Sequence, residues 1–508
     1  MLSPDEIRSF LDQPPCPEDV LCSLDAGAKL PPGFARHARE AMALGRKFVT
    51  EVVRGKTLSL DRLMHQEPDH LAWEFVEEAN RWGLYSQWIP KFMGGGGAPF
   101  PSLCHFLEEV GAECLSMANL LGVHYLGVAT LCGTWNLPLI SRITSEVWEG
   151  QKSGRPCLIS LALTEPGAGT DVEEIELLDK GEVCTRAKRV KGGYVLDGSK
   201  VFISNGHLST WHMVVAYEDP SRPSETMVVL AVKTGMPGFS FGRVERKMGQ
   251  KACPASQLMF DGCFVPDELV GMAPHQISGL KRSVRKTNMQ FIDYVFGASR
   301  AGVCAFGAAA ARGALEEALQ FAANTEVDGQ LLVNHEWAQC LLAEMVKNVN
   351  LARLAYMEAN YACGMYGIYK PLQAKPLSLI SEYTPRKVLT NTVGAAMGMD
   401  AATRIFRRLM FDGQTDREIK RTSGWGSLAK VVGTDLGVKN AHLALELMGM
   451  AGLRGDSRAQ KHLRDAKLLQ IYEGSNQLNR LNVFNCLAAD ACKGHEPFSD
   501  VDVRANNA

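Results

Sequence analysis

The spacing of apolar residues changes twice along the chain. Up to about residue 156 it is helical: in "LAWEFVEEANRWGL" Leu71, Phe75, Val76 and Ala79 share one face, and Gly83 is a natural stop. "WIPKFMGGGGAPFP" holds too many glycines and prolines for regular structure and reads as a loop. "PSLCHFLEEVGAECL" resumes the helix. From residue 157 the runs shorten and acquire β character. "CLISLALTE" ends in a Gly/Pro turn, and "GYVLDGSKVFISNG" reads as two strands about a "DGSK" turn. "STWHMVVAYED", "TMVVLAVKT" and "ASQLMFDGCFVP" are further strands. After Pro266 helical spacing returns. "SRAGVCAFGAAAARGALEEALQFA" is rich in alanine and suited to close helix packing. "EWAQCLLAEMVKNVNLARLAYMEANYA" puts Trp337, Leu341, Met345 and Val349 on one side, and "SLAKVVGTDLGVKNAHLALELMG" is a third long helix.

The pattern predicts an α+β protein: an N-terminal all-α domain (1–156), a middle β-barrel or sandwich domain (157–268), a C-terminal helical bundle (269–490) and a polar, frayed tail (491–508). Composition adds little, since 46% hydrophobic and 22% charged residues are ordinary for a globular chain. A formal net charge of −2 gives no electrostatic case for nucleic acid or a membrane surface. The apolar stretches read as shorter than a membrane span, and the acid- and proline-bearing start is unlike a secretory signal, so a cytoplasmic protein with no integral membrane segment is expected. The fourteen cysteines form no CxxC pair and no zinc-type cluster; Cys157, Cys304 and Cys340 sit in apolar surroundings and are expected as buried free thiols, with no metal site.

Candidate chemistry lies in three segments: "LALTEPGAGTDV" (161–172), "GSKVFISNGHLSTW" (198–211) and "RDAKLLQIYEGSNQLNR" (464–480). By itself, Glu473 in "IYEGS" is either a solvated helix end or a desolvated base. "TEPG" alone is a β-turn, and alternation alone places Phe202 and Ser204 on one strand face. Together, in this order and at this separation, the segments resemble the signature segments of the acyl-CoA dehydrogenase family. "WIPKFMGGGG", "RKMGQKACPASQLMFDGCFVP" and the helix headed by Arg300 are lesser matches, and the resemblance spans about residues 70 to 485.

The resemblance implies the same α, β, four-helix-bundle order, bound FAD, an acyl-CoA thioester substrate, and a homotetramer or dimer. It also implies α,β-dehydrogenation, with an electron-transfer flavoprotein as acceptor. It assigns Glu473 as the base that takes the α-proton while the flavin N5 accepts the β-hydride, and it gives the Glu473 backbone N–H to the thioester oxygen. It places Thr164, Thr170, Phe202, Ser204, Ser475 and Gln477 at the cofactor, and Thr170, Arg300 and Gly474 at the substrate. A weakly acidic thioester α-proton needs such a base and a stabilised enolate oxygen, and the flavin carries the redox step.

Three features depart from the family pattern. Thr325 and Asp328 stand where relatives carry an arginine and a phenylalanine, and Glu446 and Met450 where they carry a glutamine and a glycine, all at the expected cross-subunit FAD-phosphate site. An extra stretch, 273–291, brings Lys281, Arg282, Arg285 and Lys286 near the expected mouth of the cleft, either as a solvated loop or as a contact for CoA phosphates. The alternatives are an acyl-CoA oxidase or flavin monooxygenase on the same scaffold, and a non-catalytic binding relative with a weakened FAD site.

Overall fold

The computed structural model describes residues 3, 21–29, 33–368, 370, 380, 382–394, 397–489 and 494–499. The expected N-terminal start (1–2, 4–20), residue 490 and most of the expected tail (491–493, 500–508) lie outside the described residues. Helices Phe34–Phe48, Thr57–Gln66 and Trp73–Arg81 precede a tightly packed pair, α1 (Ser102–Glu113) and α2 (Leu115–Gly133). Phe75, Val76 and Ala79 are buried, and Gly83 takes a positive φ of 73° two residues after its helix stops. By length and composition α2 could cross a membrane, contrary to the expectation that no stretch is long enough, but 83% of its most apolar window is buried inside the molecule.

The middle of the chain is one eight-stranded sheet in the order β6-β7-β3-β2-β4-β5-β8, with β1 (Ile159–Ala162) parallel to β4 (Trp211–Tyr217). The others are β2 (Arg186–Val190), β3 (Gly193–Ser204), β5 (Met227–Lys233), β6 (Phe239–Val244), β7 (Ala255–Pro266) and β8 (Val270–Met272). The "DGSK" segment is not a hairpin turn. β3 runs through it as one twelve-residue strand against the equally long β7, and one extra residue on β7, between Phe260 and Cys263, is absorbed as a bulge opposite Leu196–Gly198. Gly198 has φ 130°, and a Cβ there would lie 2.8 Å from the Thr185 Cα. The hairpin lies earlier, where Lys191 and Gly192 join β2 to β3.

β1 docks on α2 at close range. A Cβ on Gly127 would meet the Ile159 carbonyl oxygen at 2.4 Å, and His124 Nδ1 accepts the Ile159 amide at 3.1 Å. The exit of β3 is tied to the same helix by Asn205, whose Nδ2 donates to Leu120 O at 2.7 Å.

The bundle is built on α3 (Val284–Asn324), α4 (Glu336–Met365) and α5 (Asp416–Met448), with α6 (Arg458–Leu469) and α7 (Asn476–Leu487) succeeding one another in the fourth position. α3 begins earlier than expected: residues 284–291 of the supposed basic loop are its first two turns, capped by Ser283 Oγ, which accepts from Lys286 N at 3.3 Å. α3 and α5 meet glycine to glycine, since a Cβ on Gly307 would fall 2.2 Å from the Gly433 backbone. On α4 the buried face is Ala338, Leu342, Met345, Val349 and Ala352; Trp337 is off it and half exposed, one position away from the face read from the sequence. In the described part of the tail, Phe498 is buried against Leu177 and Leu478, and its carbonyl accepts from Lys180 Nζ at 2.8 Å, while residues 494–497 and 499 are exposed.

Candidate active site

A cavity of about 470 Å³ opens where α1, α2, the start of the sheet, α3 and the α6–α7 turn converge. Thr164, Thr170, Phe202, Ser204 and Glu473 all line it. Thr164 follows β1. The loop beyond is pinned from below by a fully buried ion pair: Lys200 Nζ lies 2.6 Å from Glu165 Oε1 and 2.9 Å from Leu163 O. Glu165 Oε2 also accepts the Thr185 amide at 3.0 Å. A buried pair with every oxygen satisfied fixes geometry better than it adds stability, and here it sets the height of Thr164.

Phe202 does not follow simple alternation. It sits in the register break of β3 between Lys200 and Ile203 with φ 57°, and 58% of its surface is exposed. A large ring held in the left-handed region and left uncovered costs about 1–2 kcal/mol, which local structure alone does not recover. Among the described residues, the hydroxyls of Thr164, Thr170 and Ser204 have no protein partner. An uncovered aromatic face flanked by unpartnered hydroxyls suits a flat heteroaromatic group with polar edges, so these residues fit the isoalloxazine of FAD.

Glu473 stands at the break between α6 and α7. Its φ is 56° and that of Gly474 is 76°, two successive left-handed residues that turn the chain sharply. The turn is over-determined. Asn479 Nδ2 donates to Glu473 O at 3.1 Å and to Gly474 O at 3.0 Å, Lys430 Nζ donates to Gly474 O at 2.7 Å, and Arg300 Nε lies 3.4 Å from Glu473 O. The next residue, Ser475, caps α7 by accepting from Leu478 N at 3.2 Å. Tyr472 is held by Gln250, whose Oε1 takes its hydroxyl at 3.2 Å and the Asn119 amide at 2.7 Å, while the Gln250 backbone N–H donates to Asp465 at 2.6 Å. The Glu473 carboxylate points into the cavity and accepts the Ser299 hydroxyl at 2.6 Å. Burial raises its pKa; Ser299, Arg300 and Lys430 pull it back down.

Four expected residues do not line the cavity; one of them, Ser475, uses its hydroxyl to cap α7. Arg300 is 1% exposed and lies behind the wall, with Nη1 3.0 Å from Ser427 Oγ and Nη2 3.3 Å from Glu173 Oε2. It braces the Glu473 turn rather than facing a substrate. Gly474 is buried behind the lining, and the place of its missing side chain is taken by Glu173 Oε2 at 2.8 Å and Asn479 Nδ2 at 3.0 Å. Gln477 is exposed on the first turn of α7. Thr325, Asp328, Glu446 and Met450 lie outside this cavity. Of the four basic residues, Arg282 pairs with Asp416 and donates to Gln414 O at 2.7 Å, and Arg285 lies 3.4 Å from Asp179 and 3.8 Å from Glu176. None of the four lines the cavity. Cys340 is exposed, unlike the buried Cys157 and Cys304.

Sequence reasoning missed Ser299, Glu173 and Lys430. The signal for Lys430 was a lone cation in the small-residue stretch "GSLAKVVG". For Glu173 it was a charge between two core positions, Val172 and Ile175. Among the described residues, the cavity lining contains Glu165, Glu173 and Glu473 but no lysine, arginine or histidine.

Residues 160–263 match the family description "Acyl-CoA dehydrogenase, middle domain", and residues 289–364 and 395–487 match "Acyl-CoA dehydrogenase, C-terminal domain", together just over half of the chain. The chain is 28% identical over 442 residues to the cyclohex-1-ene-1-carbonyl-CoA dehydrogenase of Syntrophus aciditrophicus, covering 87% of each. It is 27% identical over 415 residues to the probable acyl-CoA dehydrogenase FadE25 of Mycobacterium tuberculosis, covering 80% of this chain and 86% of that one. In fold it is similar to butyryl-CoA dehydrogenase from Megasphaera elsdenii, with a TM-score of 0.65 at 21% identity over 89% of this chain and 98% of that chain.

Proposed function

Because the chain belongs to the acyl-CoA dehydrogenase family of oxidoreductases, we propose that it removes the α-proton and the β-hydrogen of an acyl-CoA thioester, with Glu473 as the base. The observation that carries this reading is the Glu473 carboxylate itself. It is raised in pKa by burial, faces the cavity, and is carried on a strained turn that four separate donor contacts hold in place. A helix end serving only solubility needs none of that support.

FAD, when bound, supplies the two-electron acceptor for the departing β-hydrogen. Thr164, Thr170, Phe202 and Ser204 would hold it, and an electron-transfer flavoprotein is the acceptor proposed beyond it. The chain's own residues do the rest. Ser299 orients the carboxylate by donating to Glu473 Oε2 and favours its ionised form. Arg300 and Asn479 hold the Glu473 carbonyl back, which leaves the backbone N–H of the turn to meet the thioester oxygen as charge builds there. Leu103, Leu107, Val123, Leu126 and Phe306 give the cavity apolar walls that keep water from the carboxylate.

The test is anaerobic reduction of the bound flavin by a panel of acyl-CoA thioesters. Glu473→Gln is expected to keep the fold and the flavin and to slow bleaching by roughly 10²–10⁴-fold, the usual worth of a general base. Bleaching of the variant at the wild-type rate would remove Glu473 from the reaction. Reoxidation by an electron-transfer flavoprotein, compared with oxygen consumption, identifies the acceptor.

A further inference from the structure

Two carboxylates without a lysine partner line the cavity. Glu473 comes from the α6–α7 turn and Glu173 from the short helical turn Thr170–Glu173; the third lining acid, Glu165, is bound to Lys200. The Glu173 side chain is 11% exposed, and its Oε2 lies against the turn that carries Glu473, at the spot a Cβ on Gly474 would need. One guanidinium reaches the Glu173 carboxylate and the main chain of the Glu473 turn: Arg300 Nη2 is 3.3 Å from Glu173 Oε2 and Nε 3.4 Å from the Glu473 backbone carbonyl.

The charges around them do not balance. α3 contributes Arg300 and the half-buried Asp293, α5 contributes Lys430 and Asp435, and the segment of Glu173 adds Glu174 and Glu176. Arg300 is shared with Glu174, 4.0 Å away. The Lys430 ammonium is bonded to Gly474 O and Asn476 Oδ1, and burial presses its pKa down to about 7. Glu173 is pushed upward by burial, and the neighbouring Glu473 adds to that push against Arg300 and Lys430. Two like charges in one poorly solvated wall do not both ionise readily.

We propose that Glu173 is a positioning residue for the base: Glu173 and Glu473, two acids lining one cavity with Arg300 beneath both, titrate as a coupled pair that keeps one proton in the resting site. This rests on the proposed function for its purpose, because the substrate α-proton then becomes the second proton of the pair: the Cα–H bond breaks and an O–H bond forms on Glu473. Its physical content stands without a substrate.

The experiment is infrared titration of protonated carboxyl groups in the purified full-length protein, with no thioester present, over about pH 4 to 9. Wild type, Glu173→Gln and Glu473→Gln are compared. The wild type is expected to show two coupled steps. Each variant is expected to lose one and to show the survivor titrating about one pH unit or more below the upper wild-type step. A survivor that titrates where it did in the wild type overturns the pair. If Glu173→Gln does not fold, Glu473→Gln makes the same comparison from the other side. With a bleaching substrate, the acid limb of the rate profile of Glu173→Gln is expected to move to lower pH; a slower rate with an unmoved limb would make Glu173 merely structural. Absence of bleaching with any thioester would overturn the dehydrogenase reading and leave the titration result intact.

Discussion

At the scale of single residues, buried carboxylates dominate this wall. Burial raises Glu174 to about 8 despite Arg300. Its folded pKa lies above the ordinary value of 4.5, so between those two pH values the folded chain keeps a proton that the unfolded chain releases. That stabilisation is fully present below pH 4.5 and is lost as pH rises towards about 8. Glu174→Gln, which cannot ionise, is therefore expected to gain stability relative to wild type across that window, by on the order of a few kcal/mol at most. Urea unfolding at both ends of the window checks it; a difference independent of pH would contradict it. The motif residues Thr164, Thr170, Phe202, Ser204 and Glu473 were legible in the sequence because each lies in a long ordered segment, and the fold brings them to one cavity. Arg300 was not. Its position in the chain says that it is near the site, but only packing decides whether a guanidinium faces the cavity or stands behind it.

At the scale of elements, the α3–α5 seam sets the site, because Ser299 and Arg300 ride on one helix and Lys430 on the other. The alanine-rich run of α3 announced close packing, but its partner, Gly433, could not be read from the sequence, since contact between distant helices leaves no local mark. Gly307→Ala puts a methyl group within 2.2 Å of the Gly433 backbone, where no side chain can swing aside. It is expected to cost about 1–3 kcal/mol in urea unfolding. An unchanged midpoint would show that the helices separate freely. The "DGSK" hairpin failed for a related reason: turn chemistry proposes a reversal, but an unbroken partner strand, β7, outweighs it.

At the scale of the whole molecule, the order helix, sheet, bundle was legible because spacing changes at both junctions. How the three parts enclose a common cavity was not. The composition of that cavity makes a prediction about substrates. With acids and apolar groups and no cation among its described lining residues, an acyl group bearing a free terminal carboxylate is expected to bleach the flavin at least about tenfold more slowly than a neutral acyl group of equal length. Equal rates would show that the cations behind the wall are felt through it. The same placement of charge bears on how a thioester enters. Arg300, Lys430 and Lys200 are all buried and engaged by partners beneath the surface. Under the proposed function, the polyanionic end of the substrate meets no counter-charge among the described lining residues and is expected to stay at the threshold, so that the acyl tail enters first and the heading is chosen before any chemistry begins.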